Sequence, residues 1–245
     1  MILYDGTMKY MGSKRRLWKD IGPIILKDRR KGQCYVEPFV GGCNSLVNVE
    51  GRRFAADVNP YLIAMLKSVL SGEPQLYPIP KELYNELRQA YYNNDFSQYS
   101  LSDIGWVGYM ASFNGRFYEG GYSGKAITKE GIERDYIDEA IRTFLKDVER
   151  LRGVVFKCCS YDELIIPRNS IVYCDPPYRD TTKYAVSEFD YERFYSWCKE
   201  LSEQGNKVFI SEYWMPSEFK EIWSKEVKAH LNIEKKNRIE KLFTI

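Results

Sequence analysis

The chain has 245 residues, 44% of them hydrophobic and 29% charged, with a net charge of +2. That suits one α/β domain carrying an insertion, and no apolar run is long enough to span a membrane. A polar start without a signal-peptide core points to a cytoplasmic protein, and a lone histidine, His230, argues against a histidine-based metal site or a Ser-His triad.

In chain order, residues 9–31 carry nine Lys/Arg against Asp20 and Asp28, a local charge of +7. A basic segment on a nearly neutral chain suggests a polyanionic partner; a solvated helix face explains the charge equally well. Lys9 to Lys14 reads as a loop ending at Ser13, a good N-cap. Leu17, Ile21, Ile24 and Ile25 then recur at helical spacing, which predicts an amphipathic helix over 14–28. Basic residues in its first turn would oppose the helix dipole. Gly12 would let the backbone approach a ligand, and Lys14 could reach a carboxylate.

Cys34 to Phe39 reads as a first strand running into Pro38 and the pair Gly41-Gly42. Two glycines between a strand and a helix suit the first turn of a nucleotide-binding unit, although many tight turns share them. Arg53 to Val58 reads as a second strand ending at Asp57, where such folds bind a ribose diol. Asn59-Pro60 then starts a helix. Gly72, Pro74, Pro78 and Pro80 punctuate a linker. Residues 81–152 look helical, aromatic and polar, without a sheet strand, and read as an insertion. Within it, Phe113 to Gly124 has four glycines and reads as an exposed hairpin or loop that could place Asn114 and Arg116 at base edges. An ordinary Gly-rich turn is the plain alternative. Residues 136–151 form an amphipathic helix.

The sheet resumes at Val154 to Cys158. Ile171-Val172-Tyr173-Cys174 reads as a buried parallel strand, halted by Asp175-Pro176-Pro177-Tyr178 because proline cannot continue a ladder. In an open α/β sheet, ligands bind at the carboxyl ends of strands. The tetrad offers a ring to stack on a planar base, with a carboxylate and a free carbonyl to accept from an amino group. A polar loop, Arg179 to Asp190, is long enough to act as a lid. A helix over 191–203 and a strand from Lys207 to Glu212 follow, then closing strands near 226–233 and 238–244. The six cysteines lack metal-like spacing and read as reduced core residues.

With these residues in this order, the chain resembles the DNA adenine methyltransferase (Dam) family, amino-methylating enzymes with an Asp-Pro-Pro-Tyr motif. The resemblance runs through Lys9–Lys14, Pro38–Gly42, Asp57, the insertion, Asp175–Tyr178 and the tail Arg238–Phe243. It implies a Rossmann-like α/β sheet that uses S-adenosylmethionine (AdoMet), with helices on both faces. Residues 1–71 and 153–245 would form the catalytic domain, and 72–152 an inserted, mainly helical DNA-recognition domain. Asp175, Pro176, Pro177 and Tyr178 would be catalytic. Tyr10, Lys14, Phe39, Gly41, Asp57, Tyr161 and Asp175 would hold AdoMet, while Lys9, Asn114 and Arg116 would face DNA. The expected reaction is methylation of adenine N6 in a duplex with the target base flipped out, by a protein that is a monomer in solution and could form an oligomer on DNA, without metal, acting on bacterial or phage DNA. The chain departs from the family at Tyr10, where Trp is frequent, and at Cys43 and Asn44. Its loop Asn114–Gly124 is shorter than the family's base-reading hairpin, so no target sequence is assigned.

Cytosine-N4 methylation would use nearly the same pocket. A protein-glutamine or small-molecule methyltransferase would leave the basic segment without a purpose. A DNA-binding module with a dead pocket is the reading from another class, and intact Lys14, Asp57 and Asp175 argue against it.

Overall fold

A computed structural model describes residues 8–179, 189–227 and 238–245. Apolar and β-branched runs build the strands β1 (Tyr35–Glu37), β2 (Arg53–Asp57), β5 (Val155–Cys158), β6 (Ile171–Cys174) and β7 (Lys207–Glu212). These five pair in parallel in the order β5-β2-β1-β6-β7. Two antiparallel strands, β9 (Arg238–Thr244) and then β8 (Lys220–Val227), extend the sheet beyond β7. The order reverses between β1 and β6, which makes the crevice beyond their carboxyl ends the ligand position of an open α/β sheet.

Side chains alternate across the pleat, so each face has its own core. Tyr35 and Tyr173 pack with Trp18 of α1 (Trp18–Leu26), in the cluster that also holds Leu62 and Leu66 of α2 (Pro60–Ser71). Val36, Val172, Val208 and Ile210 face the other way, against Phe194 and Leu201 of α6 (Tyr191–Glu203). Helices therefore cover both faces. Between β2 and β5 lie α3 (Lys81–Asn93), α4 (Leu101–Ala111) and α5 (Tyr136–Val148). Trp106 of α4 and Phe144 of α5 belong to the same core cluster as α2.

Four local expectations need correction. The first helix starts at Trp18, and its N-cap, Leu17, makes no side-chain cap. The Lys14 carbonyl accepts from both Leu17 and Trp18, so Lys14, Arg15 and Arg16 precede the helix rather than forming its first turn. Lys27 to Lys31 follow it. Lys207 pairs with Asp28 and Gln33 donates to the Asn169 carbonyl, which puts that basic run at the amino ends of β6 and β7. Arg29 there donates to the carbonyls of Gln33, Glu50 and Arg52.

Residues 113–124 form a loop that is exposed only in part, at Phe113, Asn114, Arg116 and Glu119. They fold back on α4 through a Ser112–Tyr122 bridge, and Tyr118 is fully buried with its hydroxyl donating to the Ile104 carbonyl. The exposed hairpin is the next segment, a ribbon of β3 (Lys125–Ile127) and β4 (Glu133–Asp135). The strand expected near 226–233 begins earlier, at Lys220. The lid loop, apart from Arg179, Phe189 and Asp190, lies outside the described residues, as do His230 and the rest of 228–237. All six cysteines are free, but Cys158 is exposed and Cys159 half-buried rather than in the core.

Candidate active site

The turn after β1 is built around Gly41. Its φ of +46° suits glycine, and a Cβ there would lie 2.8 Å from the Tyr10 ring. Tyr10 also stacks on Tyr109, at 5.8 Å between centroids. Asp57, at the end of β2, spans the turn. Its Oδ2 accepts from the Gly41 N–H at 3.0 Å and its Oδ1 from the Asn59 N–H at 2.9 Å. Burial raises the Asp57 carboxyl, and those two N–H groups oppose the rise. On the other face of the sheet, Phe39 stacks against Tyr161 at 5.3 Å, in an aromatic cluster with Phe194.

Across the crevice, the tetrad follows β6. The Lys14 ammonium lies 2.9 Å from Asp175 Oδ1 and 4.4 Å from the centroid of the Tyr178 ring. Both partners hold protons more strongly than usual. Burial would strip the Lys14 proton, but Asp175 and then Glu240 outweigh it. At Asp175 burial outweighs the opposing Lys14 ammonium. Buried acids crowd this end of the sheet. Burial pushes Glu37 up to about 8, with the Tyr35 hydroxyl opposing and Asp175 reinforcing. Glu212 is pushed up to about 7 by burial, against the N–H groups of Tyr213 and Arg179.

Two acids that the motifs do not mark, Glu240 and Glu212, stand around the tetrad. Glu240 of β9 accepts from the Tyr178 hydroxyl at 2.9 Å. Glu212 accepts from the N–H of Arg179 at 3.2 Å and of Tyr213 at 2.7 Å, tying the tetrad's exit to β7. The Tyr213 ring meets Tyr178 edge-on at 4.6 Å. Beside them opens a cleft of about 740 Å³, lined by Arg179, Trp214, Arg238 and Lys241 among others.

The residues expected to face DNA sit apart from the tetrad. Lys9 and Asn114 line a separate cavity of about 220 Å³, where Lys9 lies over the Tyr136 ring. Gly115 is fixed there by contact, since a Cβ would fall 2.1 Å from the Lys9 carbonyl oxygen. Arg116 is exposed, with Glu119 at 4.0 Å, and the ribbon beyond carries Lys125, Lys129 and Arg134. Among the described residues no cluster of acids, histidines and cysteines could hold a metal ion, and no helix is long and apolar enough to cross a membrane.

The raised carboxyls fix a pH dependence. A Glu37 that titrates near 8 when folded and near 4.5 when unfolded favours the folded state most below about 4.5. That contribution is lost as pH rises through about 8, and the Glu212 contribution as it rises through about 7. The urea midpoint is expected to fall between about pH 5 and about pH 8.5, and Glu37→Gln to flatten the slope.

Comparison with known proteins agrees with this geometry. The family model for D12 class N6 adenine-specific DNA methyltransferases matches residues 10–117 and 132–239, spanning the glycine turn, Asp57 and the tetrad. The Retron Ec67 DNA adenine methylase of Escherichia coli is 26% identical over 222 residues, which is 83% of this chain and 75% of that one. The DNA adenine methylase of Salmonella typhimurium is 26% identical over 220 residues, covering 84% and 74%. The Type II methyltransferase M.FokI of Planomicrobium okeanokoites is 26% identical over 196 residues, 71% of this chain and 29% of that one. The chain belongs to the D12 class of N6 adenine-specific DNA methyltransferases, enzymes that methylate the exocyclic amino group of adenine in DNA.

Proposed function

We propose that the methyl donor is AdoMet, that it lies along the crevice between the glycine turn and the tetrad, and that the target adenine leaves the duplex to reach Asp175. The observation that carries this reading is the convergence of Lys14, Asp175 and Tyr178 at the point where the strand order reverses. The residues suit such a donor. Each Asp57 oxygen accepts one backbone N–H and keeps a lone pair for a ribose hydroxyl. With Glu37 holding its proton at neutral pH, Asp175 and Glu240 still outnumber the Lys14 ammonium, a balance that favours a ligand with a positive centre. Tyr10, Phe39, Gly41 and Tyr161 complete the proposed walls.

AdoMet supplies a methyl group on a sulfonium. The chain's own task is to make the adenine amino nitrogen nucleophilic, because its lone pair is delocalised into the ring. Asp175 and the Pro176 carbonyl would accept its two N–H bonds, favouring a pyramidal nitrogen. Tyr178, held by Glu240, would stack on the base and recover about 1–3 kcal/mol of the unstacking cost. On taking up the methyl group the adenine nitrogen would have to shed one proton, and Asp175 would face it as acceptor. Labelled methyl transfer from AdoMet to duplex DNA, together with calorimetric titration of AdoMet, tests this reading; no binding of AdoMet would end it.

Residues 72–152 would serve recognition, with Lys9 and Asn114 facing DNA. Arg15, exposed at the catalytic end, would touch phosphate and Arg116 a base edge. Arg15→Ala is expected to weaken all duplexes alike and lower the salt slope by about one. Arg116→Ala should cost about 1–3 kcal/mol on the cognate site and little elsewhere. Anisotropy over a salt series separates them, and an equal loss on both duplexes would make Arg116 a phosphate contact.

A further inference from the structure

The Lys14 ammonium stands where an amino group is needed. It meets Asp175 Oδ1 at 2.9 Å, donates to the Gly12 carbonyl at 3.1 Å and lies against the Tyr178 ring at 4.4 Å. A nitrogen donor on the tetrad's carboxylate, over the face of the tetrad's ring, is what an extruded adenine would present. The ammonium and the base cannot both hold that place.

We propose that Lys14 closes the amino-group subsite in the ligand-free enzyme and opens it by moving from Asp175 to the carboxylate of the donor, so that donor binding licenses entry of the base. This rests on the reading of AdoMet as donor. Two features of the surroundings support the exchange. Lys14 is buried, and its field includes Glu240 as well as Asp175, so it cannot simply swing into water without stranding two carboxylates. It also precedes α1 rather than lying in it, and follows Gly12, whose φ is +78° and around which a Cβ would meet nothing within 4 Å. Its carbonyl holds the start of α1, so the move is one of the side chain alone and leaves the helix wound. A move from Asp175 to another carboxylate keeps the ammonium paired and frees Asp175 to accept. By linkage, a base in the subsite must tighten donor binding by the same factor.

The test uses a duplex with 2-aminopurine at the target adenine, whose emission rises when the base leaves the stack. Two unreactive ligands are compared on the wild-type protein: S-adenosylhomocysteine and its decarboxylated analogue. S-adenosylhomocysteine is expected to raise the extrusion constant about tenfold or more. The decarboxylated analogue should bind, by calorimetry, yet change extrusion less than about twofold. Lys14→Met should extrude the base without either ligand and respond to neither. Equal stimulation by the two ligands would overturn the proposal, as would ligand-dependent extrusion in a folded Lys14→Met variant. If that variant does not fold, the ligand pair on the wild-type protein decides alone. Failure of S-adenosylhomocysteine to bind would instead remove the donor reading, and this proposal with it.

Discussion

Asp175→Ala is expected to abolish methyl transfer, by about 10³-fold or more, because it removes the acceptor that faces the reacting nitrogen. Asp175→Asn keeps the shape and loses the charge, and should also be severely impaired, since an amide accepts less strongly than a carboxylate. The alanine variant also leaves the Lys14 ammonium without its nearest partner. A buried charge left wholly unpaired costs about 3–5 kcal/mol. Glu240 stays within the field of Lys14, so the loss of stability should fall at or below the lower end of that range. Melting curves beside tritium transfer from labelled AdoMet separate the two effects. An asparagine variant that folds and works near the wild-type rate would remove Asp175 from the chemistry.

Asp57→Ala should instead strike donor binding. A hydrogen bond to a charged group contributes about 1.5–3 kcal/mol, which is about 10–100-fold in affinity. The grip on a ribose acts equally in ground and transition states, so KM for AdoMet should rise with kcat little changed. The substitution also frees the Gly41 and Asn59 N–H groups. Asp57→Asn, which can accept at one oxygen only, should fall between the two. Calorimetry that gives an unchanged AdoMet affinity for Asp57→Ala would contradict the role.

Residue patterns foretold the elements where burial and chain punctuation agree. The expected bounds of α6 and β7 match the structure, and β2 ends at Asp57 as its acid and the following Asn59-Pro60 cap imply. The misses have local causes. Apolar spacing from Leu17 made the first helix look longer at both ends, while a turn through Lys14 delays it to Trp18. The nine residues of α1 then carry the chain about 13 Å, so the basic segment is split between two ends of the sheet. Four glycines suggested an exposed hairpin or loop at 113–124; its Asn114 and Arg116 are exposed, but Tyr84, Tyr91, Phe117 and Tyr118 pack beneath it ring against ring. The ribbon escaped notice because each strand has only three residues and neither buries an apolar face.

The site divides in the same way. Asp175, Lys14, Gly41 and Asp57 carry motif spacing and were legible one by one. The contact of Lys14 with Asp175 was not, because 160 positions of chain separate them and only the placement of α1 against β6 joins them. Glu240 and Glu212 were equally hidden. Each lies in a strand whose antiparallel pairing, Glu212 with Lys241, sets its neighbour beside the tetrad.

This crevice is expected to methylate adenine N6 in duplex DNA at a defined site, with AdoMet as donor. Single-molecule sequencing of DNA from a methylation-deficient host expressing the chain tests it most directly, because it reports the modified base and its context together. The expected result is N6-methyladenine in one recurring sequence, absent when the Asp175→Ala variant replaces the wild type. Methylation at cytosine, or an unmodified genome despite folded wild-type protein, would contradict it.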